Sequence, residues 1–353
     1  MNLIVGGGVV GLSLGLNLLR KGEKVTILEQ HDIGGGASWA AAGYLEPTLL
    51  DTPISEIEWQ SLNSWPDFVK EIEEISGHDV DYQTHGQLKI AYPENEVEIL
   101  ADIEARKNSK WQVELISADQ LRKLEPNLSE EIVCAAYLPQ VSWVDGRKLC
   151  KALAVAITNL GGKVLKNTSV ERLLVENDAV IGVATPTEKY HADRVILAAG
   201  YKSGEIADLP QDLPQSYGQK GVILTLENTS GSPILRHLIK RPDGIICPRN
   251  DGRILVGVTR DDDNFSPGAE AGSVLSLLQN GIRAMPMLAE LPLLETNVGF
   301  RPFVREMPDS IIGQSKLVQN LHYSLGHGSD GYLRAPYFSN LLADQILNGA
   351  DPA

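Results

Sequence analysis

The sequence predicts two domains, an α/β domain with a parallel sheet and an α+β domain with a mostly antiparallel sheet. The chain has 353 residues, and at roughly 150 residues per domain this length favours about two domains. Strand and helix units typical of a parallel sheet occur near both ends and in the middle, while short strands occupy two intervening stretches. We therefore expect interleaved domains, with 1–75, 143–205 and 305–353 in the first and 76–142 and 206–304 in the second.

The first 30 residues predict the start of the parallel sheet. The apolar run Leu3–Val5 is followed by three glycines, by an apolar helical pattern that ends near Gly22, and by a second buried strand over residues 24–29. A strand, a tight turn, a helix and a strand within about 30 residues are typical of a βαβ crossover. The first strand and helix thus belong to one Rossmann-like unit.

The turn in this unit predicts a dinucleotide site. Gly6, Gly8 and Gly11 form the pattern Gly-x-Gly-x-x-Gly, and Glu29 ends the second strand. These glycines permit a tight turn, close approach of the backbone to a pyrophosphate, and close packing of helix on sheet. The helix N-terminus offers free N–H groups to the phosphate. A carboxylate at Glu29 accepts both ribose hydroxyls and repels a 2′-phosphate, which disfavours NADP.

Later segments continue both patterns. The run Val195–Gly200 is apolar and ends in small residues, as expected of a strand buried in a parallel sheet. Ser117 and Gln120 occupy the positions of a capping box, and Asn250–Gly252 is a strong hairpin signal. We expect helices over residues 56–75, 94–108, 117–124 and 148–160, and strands over residues 141–144, 163–165, 170–175, 179–183, 221–227, 245–249 and 253–259.

Composition excludes several classes of function. The chain is 43% hydrophobic and 22% charged, which is ordinary for a globular protein. Its net charge of −15 disfavours a nucleic-acid partner. Cys134, Cys150 and Cys247 lie far apart without a CxxC pair, which favours reduced thiols in a cytoplasm. The apolar run 9–19 is too short for a bilayer, so we expect no membrane partner and no secretion. The histidines lack metal-ligand spacing, so no metal is expected.

A second glycine-rich stretch, residues 34–44, consists of small residues apart from Trp39 and its final Tyr44. Small residues allow the backbone to lie against a flat ligand. Taken alone, such a stretch is also typical of a tightly packed helix, and both interpretations are open at this point.

Several separated motifs resemble those of the flavin amine oxidases of the D-amino-acid oxidase group, and within it those of the glycine oxidases. The motifs span nearly the whole chain and are Gly6–Gly11, Glu29, Gly36–Gly43, Val195–Gly200, Cys247-Pro248-Arg249, Gly299-Phe300-Arg301-Pro302 and residues 326–336. The resemblance implies an FAD-binding domain of the glutathione-reductase type and a role in thiamine biosynthesis. Because no cysteine occurs in His327–Leu333, the segment that matches the loop over the flavin, FAD is expected to be bound non-covalently.

The resemblance also implies which residues bind FAD. They are Gly6, Gly8, Val9, Val10 and Gly11 in the phosphate turn, Glu29 and Gln30 at the ribose, Ala37 and Ser38 by the diphosphate, Ala42, Gly43 and Tyr44 near the isoalloxazine ring, Val170 at the adenine, Gly200 after its strand, and His327, Gly328, Ser329, Asp330, Gly331, Tyr332 and Leu333 in the loop that closes over the flavin.

By the same resemblance, Arg301 corresponds to the arginine that binds the substrate carboxylate, and Arg301, Tyr44 and Ser329 are the candidate catalytic residues. The chain departs from the family pattern at three places. Ser329 stands where relatives have a second arginine, Ile245 and Ile246 occupy the strand where relatives have a substrate-facing tyrosine, and Tyr44 replaces a methionine. Two further residues of the loop and helix have open roles. Asp330 either contacts the substrate amine or caps a helix. The side chain of Arg334 lies either in the substrate pocket or outside it.

The expected reaction is oxidation of glycine, sarcosine or a small D-amino acid. A hydride passes from the α-carbon to flavin N5, water hydrolyses the resulting imine, and oxygen is reduced to hydrogen peroxide. The alternatives are a D-amino-acid dehydrogenase with another electron acceptor, a flavin-binding protein with an altered substrate, and a nicotinamide-dependent dehydrogenase. Relatives form dimers or tetramers, so the resemblance leaves a homo-oligomer open.

Overall fold

The computed structural model describes residues 1–49, 52–107, 109–305 and 310–349. Its helices are α1 (Val9–Arg20), α2 (Ala37–Ala40), α3 (Pro53–Ser76), α4 (Glu96–Arg106), α5 (Ala118–Leu124), α6 (Gly146–Asn159), α7 (Ala271–Ala284) and α8 (Gly331–Asn348). Its strands are β1 (Asn2–Val5), β2 (Val25–Leu28), β3 (Tyr44–Leu45), β4 (Gln87–Ala91), β5 (Glu114–Ser117), β6 (Cys134–Leu138), β7 (Ser142–Trp143), β8 (Lys163–Leu165), β9 (Arg172–Glu176), β10 (Ala179–Ala184), β11 (Lys189–His191), β12 (Arg194–Leu197), β13 (Ser216–Glu227), β14 (Leu238–Arg241), β15 (Gly244–Pro248), β16 (Arg253–Gly257), β17 (Leu293–Val304), β18 (Ile311–Gln314) and β19 (Leu321–Leu325).

The first sheet is mostly parallel and buried on both faces. Its order is β18-β19-β12-β1-β2-β8, with β18 antiparallel to β19 and the other neighbours parallel. Ile4 packs into the core formed with α1, α3, α6 and α8. Leu3 and Val5 point to the opposite face, into a core shared with the small sheet of β9, β10 and β11. Burial on both faces explains the nearly continuous apolar character of β1 and β12.

The second sheet is mostly antiparallel and has the order β17-β13-β16-β15-β14-β4-β6-β5. The β14–β4 pair is parallel, and the other pairs are antiparallel. Leu224 packs on one face with Leu277 of α7, whereas Ile223 points to the other face with Ala42 and Trp143. This second face turns toward the first sheet. The fold class predicted from the sequence is thereby confirmed.

Several element boundaries differ from those expected. Helix α3 begins at Pro53, three residues early, because Thr52 caps it and proline suits the first helical position. Strand β13 begins at Ser216 because it pairs with β17 along nearly its whole length, and β17 itself was not expected. The capping box at Ser117 and the hairpin of β15 and β16 are confirmed. Asn108, the expected end of a helix, and 306–309 and 350–353 of the first predicted domain lie outside the described residues.

Three further properties bear on function. Among the described residues, no helix has both the length and the apolar character needed to cross a membrane. Over the same ranges, no group of three or more histidine, cysteine or acidic residues is placed to hold a metal ion. Cys134, Cys150 and Cys247 are free and buried.

Candidate functional site

A cavity of about 530 Å³, which we call the glycine-rich cavity, lies where β1 and β12 end and α1 begins. Its walls come from the turn after β1, the end of β2, helix α2, the segment before β9, the turn after β12 and the loop before α8. The predicted cofactor residues that line it are Gly6, Gly8, Val9, Val10, Glu29, Gln30, Ala37, Ser38, Val170, Gly200, His327, Gly328, Ser329, Gly331 and Tyr332.

The turn after β1 needs glycine for steric reasons. Gly6 has φ +115°, and a Cβ there would lie 2.3 Å from the carbonyl oxygen of Ala198 on the neighbouring strand. A Cβ on Gly11 would lie 2.1 Å from the carbonyl oxygen of Gly6. Gly11 therefore lets α1 pack against the turn and does not itself line the cavity. Both contacts hold the first residues of α1 at the cavity wall.

The N-terminus of α1 offers unpaired donors to this cavity. Gly8 is the N-cap residue and has no side-chain capping bond, and the Val9 N–H donates to Ser38 Oγ at 3.0 Å. The N–H groups of Val10 and Gly11 have no acceptor among the described residues. Free N–H groups at a helix N-terminus bind anions such as phosphate. The site therefore fits a diphosphate.

Glu29 is buried beside this N-terminus. Its Oε2 accepts from the Gly7 N–H at 2.7 Å, and its Oε1 accepts from the His31 N–H at 2.9 Å. These two bonds fix the carboxylate at the edge of the cavity, next to Gln30. A carboxylate held in this way still has lone pairs for the hydroxyls of a ribose. Together with the free N–H groups, Glu29 makes the cavity suitable for an adenine dinucleotide such as FAD.

A second cavity of about 590 Å³, the central cavity, lies between the two sheets. It is lined by Ala42, Gly43 and Tyr44, by residues of β13, β14, β15 and β17, by the chain after β16, and by the loop before α8. Five residues line both cavities, namely Ala37, Ala41, Gly328, Ser329 and Tyr332. The two cavities therefore adjoin, and a ligand of FAD's length can extend from the first into the second.

Arg301 on β17 lines the central cavity and forms no ion pair among the described residues, and the charge of Asp262 acts on it from further away. One of its terminal nitrogens donates to Gln219 Oε1 at 3.3 Å and to the Lys220 carbonyl oxygen at 3.4 Å, and the other donates to the Thr259 carbonyl oxygen at 3.1 Å. Burial, and secondarily the charge of Arg260, lower the pKa of Arg301 to about 10. The guanidinium is still charged at neutral pH and is oriented by uncharged acceptors, so it can bind a carboxylate.

Tyr44 lines the central cavity and belongs to a polar group with Glu46, Gln87 and Lys240. The Tyr44 hydroxyl donates to Glu46 and Gln87 and accepts from Lys240 Nζ at 3.2 Å. Lys240 also pairs with the Glu46 carboxylate. The hydroxyl thus already has several partners, and it is the tyrosine ring beside Gly43 that shapes the cavity wall.

Ser329 and Asp330, in the loop before α8, and Arg334, in the first turn of α8, have different surroundings. Ser329 lines both cavities, and its hydroxyl has no partner among the described residues. Arg334 is buried and donates to Glu58 at 2.9 and 2.5 Å and to Ser310 at 2.7 Å, in a third cavity next to the central one. Asp330 lies at the N-cap of α8 without a side-chain capping bond, 3.5 Å from Arg334. Arg334 therefore holds Glu58 and does not line the central cavity.

The Asp330 carboxyl group is expected to lower the stability of the folded protein as the pH rises. Burial, opposed by the charge of Arg334, raises the pKa of Asp330 from 3.8 to about 6. Between these values the unfolded chain has lost the proton and the folded protein still binds it, so stability falls as pH rises. The variant Asp330→Asn should therefore melt at a higher temperature than the natural protein, by a margin that grows from about pH 4 and levels off above about pH 7. Thermal unfolding of both proteins at several pH values measures this margin, and a margin independent of pH would contradict the assignment.

The other predicted residues lie as follows. His327 Nε2 is 2.8 Å from Ser324 Oγ, and burial lowers the pKa of His327 to about 3, so the ring is neutral and packed. The Tyr332 hydroxyl donates to the Ser38 carbonyl oxygen at 2.8 Å. Leu333 lines neither cavity, because its side chain is in the core and its carbonyl accepts from α3. Ile245 lines the central cavity, whereas Ile246 points into the core on the other face of the sheet.

The structure adds cavity residues that sequence reasoning missed. In the glycine-rich cavity they include Thr168, Ser169, Glu171, Lys202, Glu205 and Ile206. In the central cavity they include Gly221, Lys240, Arg241, Asp243 and Arg260. The first group adjoins segments already singled out, so proximity to Val170 and Gly200 was a usable signal. The second group comes from β13, from β14 and the turn after it, and from the chain after β16. These segments are brought together by strand pairing and carried no local signal.

Comparison with known proteins agrees with this geometry. The sequence profile of a family described as DAO, FAD dependent oxidoreductase, matches residues 2–345. The bifunctional protein ThiO/ThiG of Trichormus variabilis is 31% identical over 351 residues, which cover 98% of this chain and 52% of that protein. The chain thus spans about half the length of the bifunctional relatives that it matches.

Relatives of similar length are also found. Glycine oxidase of Bacillus licheniformis is 27% identical over 349 residues, which cover 98% of this chain and 92% of the relative. The crystal structure of glycine oxidase from Bacillus cereus superposes with a TM-score of 0.93 at 27% identity, over 99% of this chain and 95% of that one. The fold is thus shared along nearly the whole chain.

Proposed function

Because the chain belongs to the family of FAD-dependent oxidoreductases whose profile covers residues 2–345, we propose that it oxidises a small amino acid or amine that bears a carboxylate group. FAD is its cofactor. Glycine, sarcosine and small D-amino acids are the candidate substrates, and a role in thiamine biosynthesis follows if glycine is preferred. The observation that carries the proposal is Arg301, a charged guanidinium that forms no ion pair among the described residues and faces a cavity adjoining the dinucleotide site.

The glycine-rich cavity would hold the adenosine and diphosphate of FAD. The N–H groups at the start of α1 bind the diphosphate, and Glu29 binds the ribose. Ala42, Gly43 and Tyr44 line the next cavity, which would hold the isoalloxazine ring. When bound, FAD supplies the acceptor for a hydride from the substrate α-carbon.

The residues of this chain bind and orient the substrate. Arg301 binds the carboxylate, which places the α-carbon toward the opening between the two cavities. Ile245, Val258 and Phe300 line the same cavity and limit the access of water. Orientation of this kind is the main contribution of a protein when a cofactor carries the chemistry. Loss of a hydride and a proton converts the amine to an imine, which water hydrolyses to an oxo acid, and oxygen takes up the two electrons as hydrogen peroxide.

In this proposal, 1–75, 143–205 and 305–353 form the FAD-binding domain, and 76–142 and 206–304 form the substrate-binding domain. We also propose a cytoplasmic location, which three free and buried cysteines support. The substrate enters the central cavity next to Arg301, away from the diphosphate end.

Anaerobic mixing tests the proposed function directly. The purified yellow protein is mixed with glycine, sarcosine and a panel of small D- and L-amino acids, and the oxidised flavin absorbance is followed. Bleaching by one of them identifies the substrate, and hydrogen peroxide after admission of oxygen identifies the acceptor. Bleaching without peroxide would favour a dehydrogenase, and no bleaching by any carboxylate-bearing amine would contradict the proposal.

Gly221 on β13 is expected to set the position of Arg301. A Cβ on Gly221 would lie 2.8 Å from both terminal nitrogens of Arg301. The end of a long side chain can move, so Gly221→Ala should fold and bind FAD while the guanidinium is displaced. A misplacement of about 1 Å can cost up to about 100-fold, and we expect kcat/KM to fall about 10- to 100-fold, mainly through KM.

Steady-state kinetics and FAD content measure this effect. Gly272→Ala is the matched control, because nothing lies within 4 Å of the added Cβ and the residue is in helix α7. The assignment of Gly221 would be wrong if both variants had the kinetics of the natural protein.

A further inference from the structure

Arg260, which follows β16, lines the central cavity together with Arg301 and Ser329. Its side chain is exposed at the mouth of the cavity and has no hydrogen bond or ion pair among the described residues. The other two cations of the cavity wall have acidic partners. Lys240 pairs with Glu46, and Arg241 lies 3.6 Å from Asp243. Arg260 and Arg301 are thus the cations in the described wall of this cavity that form no ion pair.

The charge of Arg260 acts on two groups of the same cavity. It contributes to the lowered pKa of Arg301, and it opposes the raised pKa of Asp330. Arg260, Arg301 and Asp330 line the same cavity, which places Arg260 on a wall shared with the guanidinium on β17 and with the loop that contains Ser329. Two like charges at one cavity repel each other, and an anion between them relieves this repulsion. Ser329 carries no charge and has a short side chain. It therefore leaves room in the central cavity for the side chain of Arg260.

We propose that Arg260 and Arg301 bind one substrate carboxylate between them, so that Arg260 determines specificity for amines that carry this group. The inference rests on the proposed function. Arg260 supplies the second cationic contact that Ser329 does not supply. Because three hydrogen-bond acceptors hold Arg301 and the side chain of Arg260 is exposed, Arg301 provides the fixed contact and Arg260 the adjustable one. Substrates without a carboxylate gain nothing from either residue.

Acetate is a suitable probe, because it presents the carboxylate of glycine and has no amine to oxidise. Its binding to the FAD-loaded protein is measured by calorimetry at constant pH and ionic strength. A hydrogen bond to a charged group corresponds to roughly a tenfold or greater change in affinity. We expect Arg260→Ala to weaken acetate binding about 10-fold and Arg260→Lys to restore most of it. With a bleaching substrate, Arg260→Ala should raise KM while the limiting rate of flavin reduction changes less than twofold.

The control is Arg236→Ala, which removes an exposed arginine whose side chain has no ion pair, in a separate cavity that shares no lining residue with the central cavity. It should bind acetate as the natural protein does. If Arg301→Ala weakens acetate binding and Arg260→Ala does not, the role of Arg260 is overturned and the proposed function stands. If neither variant weakens it, or if the natural protein binds no acetate, both proposals are overturned.

Discussion

Arg301→Ala is expected to lower kcat/KM for the bleaching substrate by about 100- to 1,000-fold while FAD is still bound. Removing one member of a buried, hydrogen-bonded charge pair costs roughly 2–5 kcal/mol, and each 1.4 kcal/mol corresponds to about a factor of ten. The guanidinium is already oriented by Gln219, Lys220 and Thr259, so its loss removes a contact that needs no rearrangement. Anaerobic stopped-flow reduction of the flavin measures the loss, and the visible spectrum measures FAD content.

Comparison of Arg301→Ala with Arg301→Lys separates the contribution of the positive charge from that of the guanidinium geometry. Arg301→Lys keeps the positive charge but cannot form two parallel N–H bonds to a carboxylate. It should therefore recover only part of the activity, and FAD content should be unchanged in both variants. Arg236→Ala serves again as the control for loss of an exposed positive charge. If Arg301→Ala retained full activity with bound FAD, the carboxylate would be bound elsewhere and the proposed function of this cavity would be wrong.

The part of the site that the sequence predicted is the part built by local structure. Gly6, Gly8 and Glu29 lie within one strand–turn–helix–strand unit, so their spacing along the chain determines their spacing in space. Ala37 and Ser38 lie a few residues after this unit, at the start of α2, so their positions are also set by local structure. Within 34–44, helix α2 covers only Ala37–Ala40 and none of its residues is buried, whereas residues of the stretch line both cavities. This favours the interpretation of the stretch as a ligand-binding segment over that of a tightly packed helix.

The part that the sequence did not predict depends on pairing between distant strands. Gly221 is opposite Gly299 in the β13–β17 ladder, and Arg301 is opposite Gln219. Arg260 reaches the cavity because β16 pairs with β13 on its other side. Strand β17 contains a glycine and a proline and lacks a regular alternation of apolar and polar residues. Its sequence pattern therefore did not predict a strand. The register of these pairs is set by the whole sheet.

This division matters for substrate choice. FAD contacts come from segments with local signatures, whereas the walls near Arg301 come from β13 to β17. A change such as Ile245, which lines only the central cavity, can thus alter the substrate without altering FAD binding, whereas Ser329 lines both cavities. The same division predicts that variants of the two groups separate cleanly, with flavin content affected by one group and KM by the other.

Glu29→Ala represents the first group, and we expect it to raise the dissociation constant of FAD about 30- to 150-fold. A hydrogen bond to a charged group contributes about 1.5–3 kcal/mol, and the change removes the ribose contacts and leaves the Gly7 N–H without its acceptor. Titration of apoprotein with FAD, followed by quenching of flavin fluorescence, measures the constant. Glu98→Gln, an exposed residue of α4 without an ion pair, is the control for loss of a negative charge. Unchanged FAD affinity in Glu29→Ala would show that the ribose is held by other groups, whereas a loss in both variants would point to the net charge of the protein. Because Arg301 lies in the other cavity, the reloaded Glu29→Ala protein should still bind acetate as the natural protein does, which distinguishes loss of the dinucleotide contact from general damage to the site.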